Sequence, residues 1–268
     1  MAPVLTLVTD FGAGSGHPAQ MKAVLLGRLP DAVLVDVSHE VPAFDVLAGA
    51  LLLEACVPWF PPGAVHIAVV DPGVGTSRRA LAVVDPLGRR LVAPDNGLLT
   101  PFLGAGARVY AIEPGRAVPV PRSATFHGRD LFAPAAALLA GGADVAALGP
   151  EVPDPIRLDW PVATRRSGEV EGLTLAADGF GNLVTSVTER DLEGERVIAA
   201  WVAGREAHFV RTFGEAGKGE LVAYLGSSGR VEVAVREGSA AERLGGARGH
   251  VIRLGLGGPV LGVEPTGC

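Results

Sequence analysis

Cysteine is nearly missing from this chain: Cys56 and Cys268 are the whole supply in 268 residues. Two thiols so far apart outline neither a disulfide framework nor a set of metal ligands. No membrane span is visible either. The longest apolar run, FDVLAGALLLEACVPWF (44–60), is broken by Asp45, Glu54 and Pro58, whereas crossing about 30 Å of hydrocarbon takes about 20 apolar residues in a row. It reads as a buried helix. A basic surplus is also lacking. The net charge of −6 argues against nucleic-acid phosphate as the main partner. All but Lys22 and Lys218 of the 23 cations are arginine. No G-x-x-x-x-G-K-[ST] loop occurs, and GVGTSR (73–78) has only two of the three glycines of a dinucleotide fingerprint. It leads into a strand-like run, not a helix, which excludes both standard nucleotide folds. The N-terminal VLTLVTD shows no basic region or cleavage site. With so few thiols, a cytoplasmic protein without a membrane partner is expected.

What is there is a globular pattern, 48% hydrophobic and 19% charged, enough at this length for a substantial core. VLTLVTD (4–10), AVLVDVSHE (32–40) and AVHIAVV (64–70) are rich in Val, Leu and Ile, and are separated by helical spacing in PAQMKAVLLGRL (18–29) and in 44–60. Strand, helix, strand, helix, strand at this spacing predicts a βαβαβ unit whose sheet is covered on both faces. ALAVVDP (80–86) and RRLVAPD (89–95) extend the sheet, and HGRDLFAPAAALLAGG (127–142) supplies a later helix. Near residue 160 the texture changes. RLDWPVATRRSGE (157–169) reads as a linker, and beyond it come six short alternating runs between glycine turns, from GEVEGLTLA to HVIRLGL. The expected fold class is therefore α/β, with a Rossmann-like βαβ domain over 1–160 and a small all-β domain, a barrel or a sandwich, over 168–268.

The first three strands end on Asp10, on Ser38-His39-Glu40 and on Asp71. Ligands of open α/β sheets bind beyond the carboxyl ends of strands, although a lone Asp there also serves as an ordinary turn acid. If 64–70 and 80–85 are neighbouring antiparallel strands, Asp71 and Arg78 stand at the two ends of one loop mouth, facing one cleft. A surface ion pair bracing a hairpin, worth about 0–1 kcal/mol, is the plainer alternative. His127 stands just before a helix start. Carboxylate, guanidinium and imidazole around one cavity suit the activation of a water or the holding of an anion.

TDFG (9–12), VVDPGVGTSRRA (69–80), APDNGLLTP (93–101), ATFHGRDLFAPAAA (124–137), DGFGNLVTS (178–186) and YLGSSGRVEVAV (224–235) stand in this order. Together they resemble the S-adenosylmethionine hydroxide adenosyltransferases, relatives of the fluorinases and chlorinases, over about residues 4–255. The resemblance implies a C-terminal β-barrel and a homotrimer in which substrate lies between the N-terminal domain of one subunit and the barrel of the next. It implies attack of water or hydroxide on C5′ of S-adenosylmethionine, giving adenosine and methionine, without metal or cofactor. The family's catalytic set falls on Asp71, Arg78 and His127. Asp10 resembles the acid that holds the ribose hydroxyls; Phe44, Phe180 and Phe213 resemble the aromatics around the nucleoside. Asn182 resembles the residue that reads the adenine edge, and Asp178 and Ser227 the ligands of the methionine end. Each of these phenylalanines could equally be core, and DGFGN a hairpin turn. AGSGHPAQMKA (13–23) departs from the pattern: an acid and an aromatic are missing, and His17-Pro18 stands where the aromatic is expected. A halide-using enzyme would be ill served by a carboxylate against the anion. A non-catalytic sensor would have no need of the three catalytic residues.

Overall fold

The strand-forming runs assemble as hydrophobicity dictates, but not in the order their sequence would place them. The computed structural model describes residues 2–192 and 194–259, so Cys268 and the end of the expected second domain lie outside the described residues. The chain divides into two units, Met1–Trp160 and Pro161–Cys268.

In the first unit β1 (Val4–Thr9), β2 (Val33–Ser38), β3 (Val65–Val69), β4 (Ala80–Val84), β5 (Arg90–Pro94) and β6 (Arg108–Ala111) form one sheet in the order β2-β1-β3-β5-β4-β6. β2, β1, β3 and β5 run parallel; β4 is antiparallel to both its neighbours. This corrects the expectation that 64–70 and 80–85 pair. β5 lies between them, and Asn96 at its end donates from Nδ2 to the Val70 carbonyl at 2.8 Å, tying β5 to β3.

Helix α1 (His17–Leu26) carries Pro18 in its first turn, where the fixed φ of proline is suited to the helix. Helix α2 (Val46–Cys56) is capped by Asp45, which accepts from Ala48 N at 2.9 Å. It is shorter than the apolar run that predicts it, because Pro58 turns the end into a 3₁₀ segment. A Cβ on Gly49 would come 2.9 Å from Leu98 and 3.1 Å from Val70, so the glycine lets α2 lie close to the sheet. Helix α3 (Ala133–Ala140) follows a π-turn at Gly128–Phe132, a form of helix often found at functional sites. Alternate residues of each strand feed two cores. Leu5, Leu7, Ile67 and Val92 pack with Met21, Leu25 and Phe132, whereas Val8, Ala68, Val70 and Leu91 pack with Ala50 and Leu53. Both faces are covered, as the continuous apolar strands require.

In the second unit the expected linker contains a strand, β7 (Thr164–Arg166), hairpinned onto β8 (Glu169–Ala177). β9 (Leu183–Thr188), β10 (Glu195–Val202), β11 (Arg205–Phe209), β12 (Leu221–Leu225), β13 (Arg230–Val235) and β14 (Val251–Pro259) follow. The ring β8-β9-β13-β12-β11-β10-β14 closes through the β14–β8 pairing. The choice between barrel and sandwich thus resolves as a closed barrel, which leaves its seven strands no free edge. Val170, Val187, Val202, Val233 and Leu254 fill its interior.

Candidate active site

The chain passes from β1 to β2 on one side of β1 and returns to β3 on the other, so the crevice between the β1 and β3 ends is the topological switch point of the sheet. Asp10 follows β1 directly, and Asp71 stands two residues beyond the end of β3. The β3–β4 connection must climb over the end of β5, and this carries Arg78 back to Asp71. Arg78 Nε donates to Asp71 Oδ1 at 2.8 Å, Nη2 pairs with Oδ2, and the two side chains are 9% and 5% exposed. A bidentate guanidinium fixes the plane of the carboxylate, which a lysine could not do. Gly75 is needed in this loop. Its φ is +79°, and a Cβ there would stand 2.9 Å from the Ala124 carbonyl, so it lets the loop lie against the segment that leads into His127.

Arg78 Nη2 also donates to His127 Nδ1 at 3.1 Å. A guanidinium can only donate, so Nδ1 is an acceptor here and the neutral ring carries its proton on Nε2. Burial, and then the Arg78 charge, push the His127 pKa below the usual 6.5, outweighing the opposing pull of Asp71 and Asp130. The three residues therefore form a chain of hydrogen bonds: carboxylate, guanidinium, neutral imidazole. Phe132 supports the guanidinium with its ring centroid 5.3 Å away.

Asp10, Phe44, Asp71, Phe126 and His127 share a cavity of about 220 Å³. Asp10 Oδ2 accepts the Phe44 N–H at 2.9 Å. Phe11 and Val74 also line this cavity, and sequence reasoning passed over both; a Phe beside Asp10 in TDFG was the available signal. The atypical segment proves aromatic after all. The His17 ring meets Phe126 edge-on at 4.8 Å and stands 5.5 Å from Phe11. His39, by contrast, is structural. It is buried and bonded through Nδ1 to Thr9 Oγ1 at 2.9 Å, bracing β2 against β1.

The remaining candidates lie in the second unit. Asp178 Oδ1 accepts from Phe180 N and Asn182 N at 2.8 and 2.9 Å, and Oδ2 accepts from Asn182 Nδ2 at 2.9 Å. DGFGN is thus the β8–β9 hairpin turn, with Asp178 as its hub, Phe180 82% exposed at its tip and Asn182 buried. Phe213 meets Tyr224 edge-on at 4.8 Å, and Ser227 sits in the β12–β13 turn. A pair was missed here. Tyr224 and Glu232 are cross-strand partners, and the phenol donates to Glu232 Oε2 at 2.6 Å. Burial raises both pKa values, with the neighbouring Asp178 charge adding to each. Eight-residue spacing across a Gly-Ser-Ser-Gly turn was the only signal for it.

Residues 5–149 match the model of the SAM hydroxide adenosyltransferase N-terminal domain, and residues 172–253 that of the C-terminal domain. The (R)-S-adenosyl-L-methionine hydrolase of Thermus thermophilus is 45% identical over 95% of this chain and 100% of its own. A fluorinase from an Actinoplanes species is 28% identical over 87% of this chain and 90% of its own. The solved structure of a conserved protein from Thermotoga maritima superposes with a TM-score of 0.85 at 32% identity, covering 93% of this chain and 99% of that one.

Proposed function

We propose, for a chain that belongs to the SAM hydroxide adenosyltransferase family, that it hydrolyses S-adenosyl-L-methionine to adenosine and methionine. Asp71, Arg78 and His127 handle the attacking water. The observation that carries this reading is the hydrogen-bonded chain of these three side chains beside the cavity at the switch point. Water attacks C5′ as the C5′–S bond breaks. The bonding pair goes to sulfur, which leaves as a neutral thioether, so no general acid is required. The cationic substrate and water give two neutral products and one proton, and the equation balances without a cofactor.

Asp71 is the group that takes the proton. Arg78 occupies one lone pair on each of its oxygens, and the others remain for a water. His127 cannot be the base while Nδ1 accepts from Arg78. Its Nε2–H is a donor suited to holding the water oxygen as hydroxide character develops. Asp10 binds the ribose, and Phe44 lies against the nucleoside. From the barrel, Phe180, Phe213 and Asn182 serve the adenine, and Asp178 and Ser227 the methionine end. Asn182 donates one of its two amide N–H bonds to Asp178, which leaves the other and the carbonyl oxygen for the ligand. A cytoplasmic homotrimer with substrate between subunits belongs to the same reading.

The test is incubation with S-adenosylmethionine and excess chloride, with products followed by chromatography, beside Asp71→Asn. Adenosine and methionine from the wild type, reduced about 10²–10⁴-fold in the variant, is the result expected for a lost general base. A 5′-chlorinated nucleoside would make the protein a halogenase, and nucleoside binding without turnover would make it a sensor.

A further inference from the structure

Phe44 is held in a backbone conformation that a phenylalanine rarely adopts. The turn 42–45 is closed by the Asp45 N–H donating to the Pro42 carbonyl at 2.9 Å, and at its third position Phe44 has φ +66°. Positive φ at that position is ordinarily filled by glycine or asparagine, because a Cβ there crowds the following carbonyl. For a bulky side chain it is a true outlier. Burial does not compensate for it, since Phe44 is 70% exposed. Two hydrogen bonds from outside the turn hold residue 44: its carbonyl accepts from the neighbouring Val46 N at 3.1 Å, and its N–H donates to Asp10 Oδ2 at 2.9 Å, the long-range one, from a side chain 34 positions earlier. Phe44 and Asp10 both line the 220 Å³ cavity.

We propose that Asp10 is a positioning residue for Phe44: its carboxylate locks the residue 44 peptide in a glycine-type turn and so sets the aromatic ring at the cavity mouth. The inference deepens the functional reading above and rests on it for the identity of the ligand. In that reading one carboxylate serves two parts of the nucleoside. Oδ1 faces the sugar hydroxyls, and Oδ2, through a backbone amide, places the ring that stacks on the nucleoside. A strained turn kept where glycine would be comfortable marks a side chain retained for what it does.

Two measurements test this, the first without ligand. Thermal midpoints are compared for Phe44→Ala and Phe44→Gly, each with Asp10 or with Asp10→Ala. Both variants lack the ring, and only alanine keeps the strain, so Phe44→Gly melts about 2–4 °C above Phe44→Ala. Asp10→Ala then lowers the midpoint of Phe44→Gly more than that of Phe44→Ala, because losing the lock lets the alanine turn relax and recover its strain. Equal midpoints for alanine and glycine, or an equal effect of Asp10→Ala in both, would overturn the proposal.

The second measurement is calorimetric binding of 2′,3′-dideoxyadenosine, which offers Asp10 no ribose hydroxyl pair. Asp10→Ala weakens it about tenfold, the scale of a lost base–aromatic stack, and Asp10→Asn, whose carbonyl can still accept the Phe44 N–H, restores it. Dideoxyadenosine binding that ignores Asp10→Ala would leave Asp10 as a ribose ligand alone and overturn the positioning role. The functional reading fails separately, through wild-type protein that binds no adenosine, while the thermal comparison stays readable.

Discussion

Replacing Arg78 by lysine separates charge from geometry. The guanidinium donates twice to Asp71, once to His127 Nδ1 and, through Nη1, to the Arg79 carbonyl at 3.2 Å. A lysine keeps the positive charge and one bond to Asp71, but its single ammonium cannot also fix the carboxylate plane and reach the imidazole. At least two directed bonds are lost. Each hydrogen bond to a charged group contributes about 1.5–3 kcal/mol, and such losses are not additive, so we take the low end, about 3 kcal/mol. At about 1.4 kcal/mol per decade, that is about a hundredfold in kcat. Stability should suffer less. Asp71 retains a cation, and the uncompensated charge that makes breaking a buried pair cost about 3–5 kcal/mol does not arise. The assay is initial-rate adenosine release at saturating S-adenosylmethionine, with a thermal melt beside it. A lysine variant within about threefold of wild-type kcat would show that charge alone matters and would refute the role given to the guanidinium fork.

Further outcomes follow from two imidazoles, His127, half-buried, and His66, buried. His127 must be neutral to accept from Arg78, and its pKa lies below 6.5 through burial and then the Arg78 charge. The rate should therefore stay level down to pH 6.5 and fall only below it, and in Arg78→Gln the imidazole titration followed by NMR should move up toward 6.5. A rate already falling above pH 7 would contradict the assigned tautomer. His66, buried and bonded to Thr6 Oγ1, is pushed down to about 4, first by burial and then by the Arg89 charge. Between pH 6.5 and 4 the unfolded chain binds the extra proton, so stability falls as pH drops through that window, by about 3 kcal/mol in all. A His66→Gln variant should show a flatter dependence of thermal midpoint on pH over the same window; an unchanged slope would place the acid sensitivity elsewhere.

Local pattern determined much of this protein. Apolar runs of strand length separated by 3.6-residue periodicity are enough for β1-α1-β2-α2-β3, because each element's buried face is written in its own residues. The polar strand ends at Asp10 and Asp71 were visible for the same reason, as was the change to short alternating strands near residue 160. Which strands become neighbours was not visible. The runs 80–84 and 90–94 both carry a largely apolar strand pattern, and either could lie against β3; long-range contacts such as Asn96 to Val70 accompany the choice of β5. That choice sends the 71–79 loop over the sheet end and brings Arg78 onto Asp71 and His127 together. The tautomer of His127, the left-handed turn at Phe44 and the Tyr224–Glu232 pair were decided in the same way. Each depends on a group from a distant part of the chain or across a turn, and residue types and spacing do not record which partner a side chain meets.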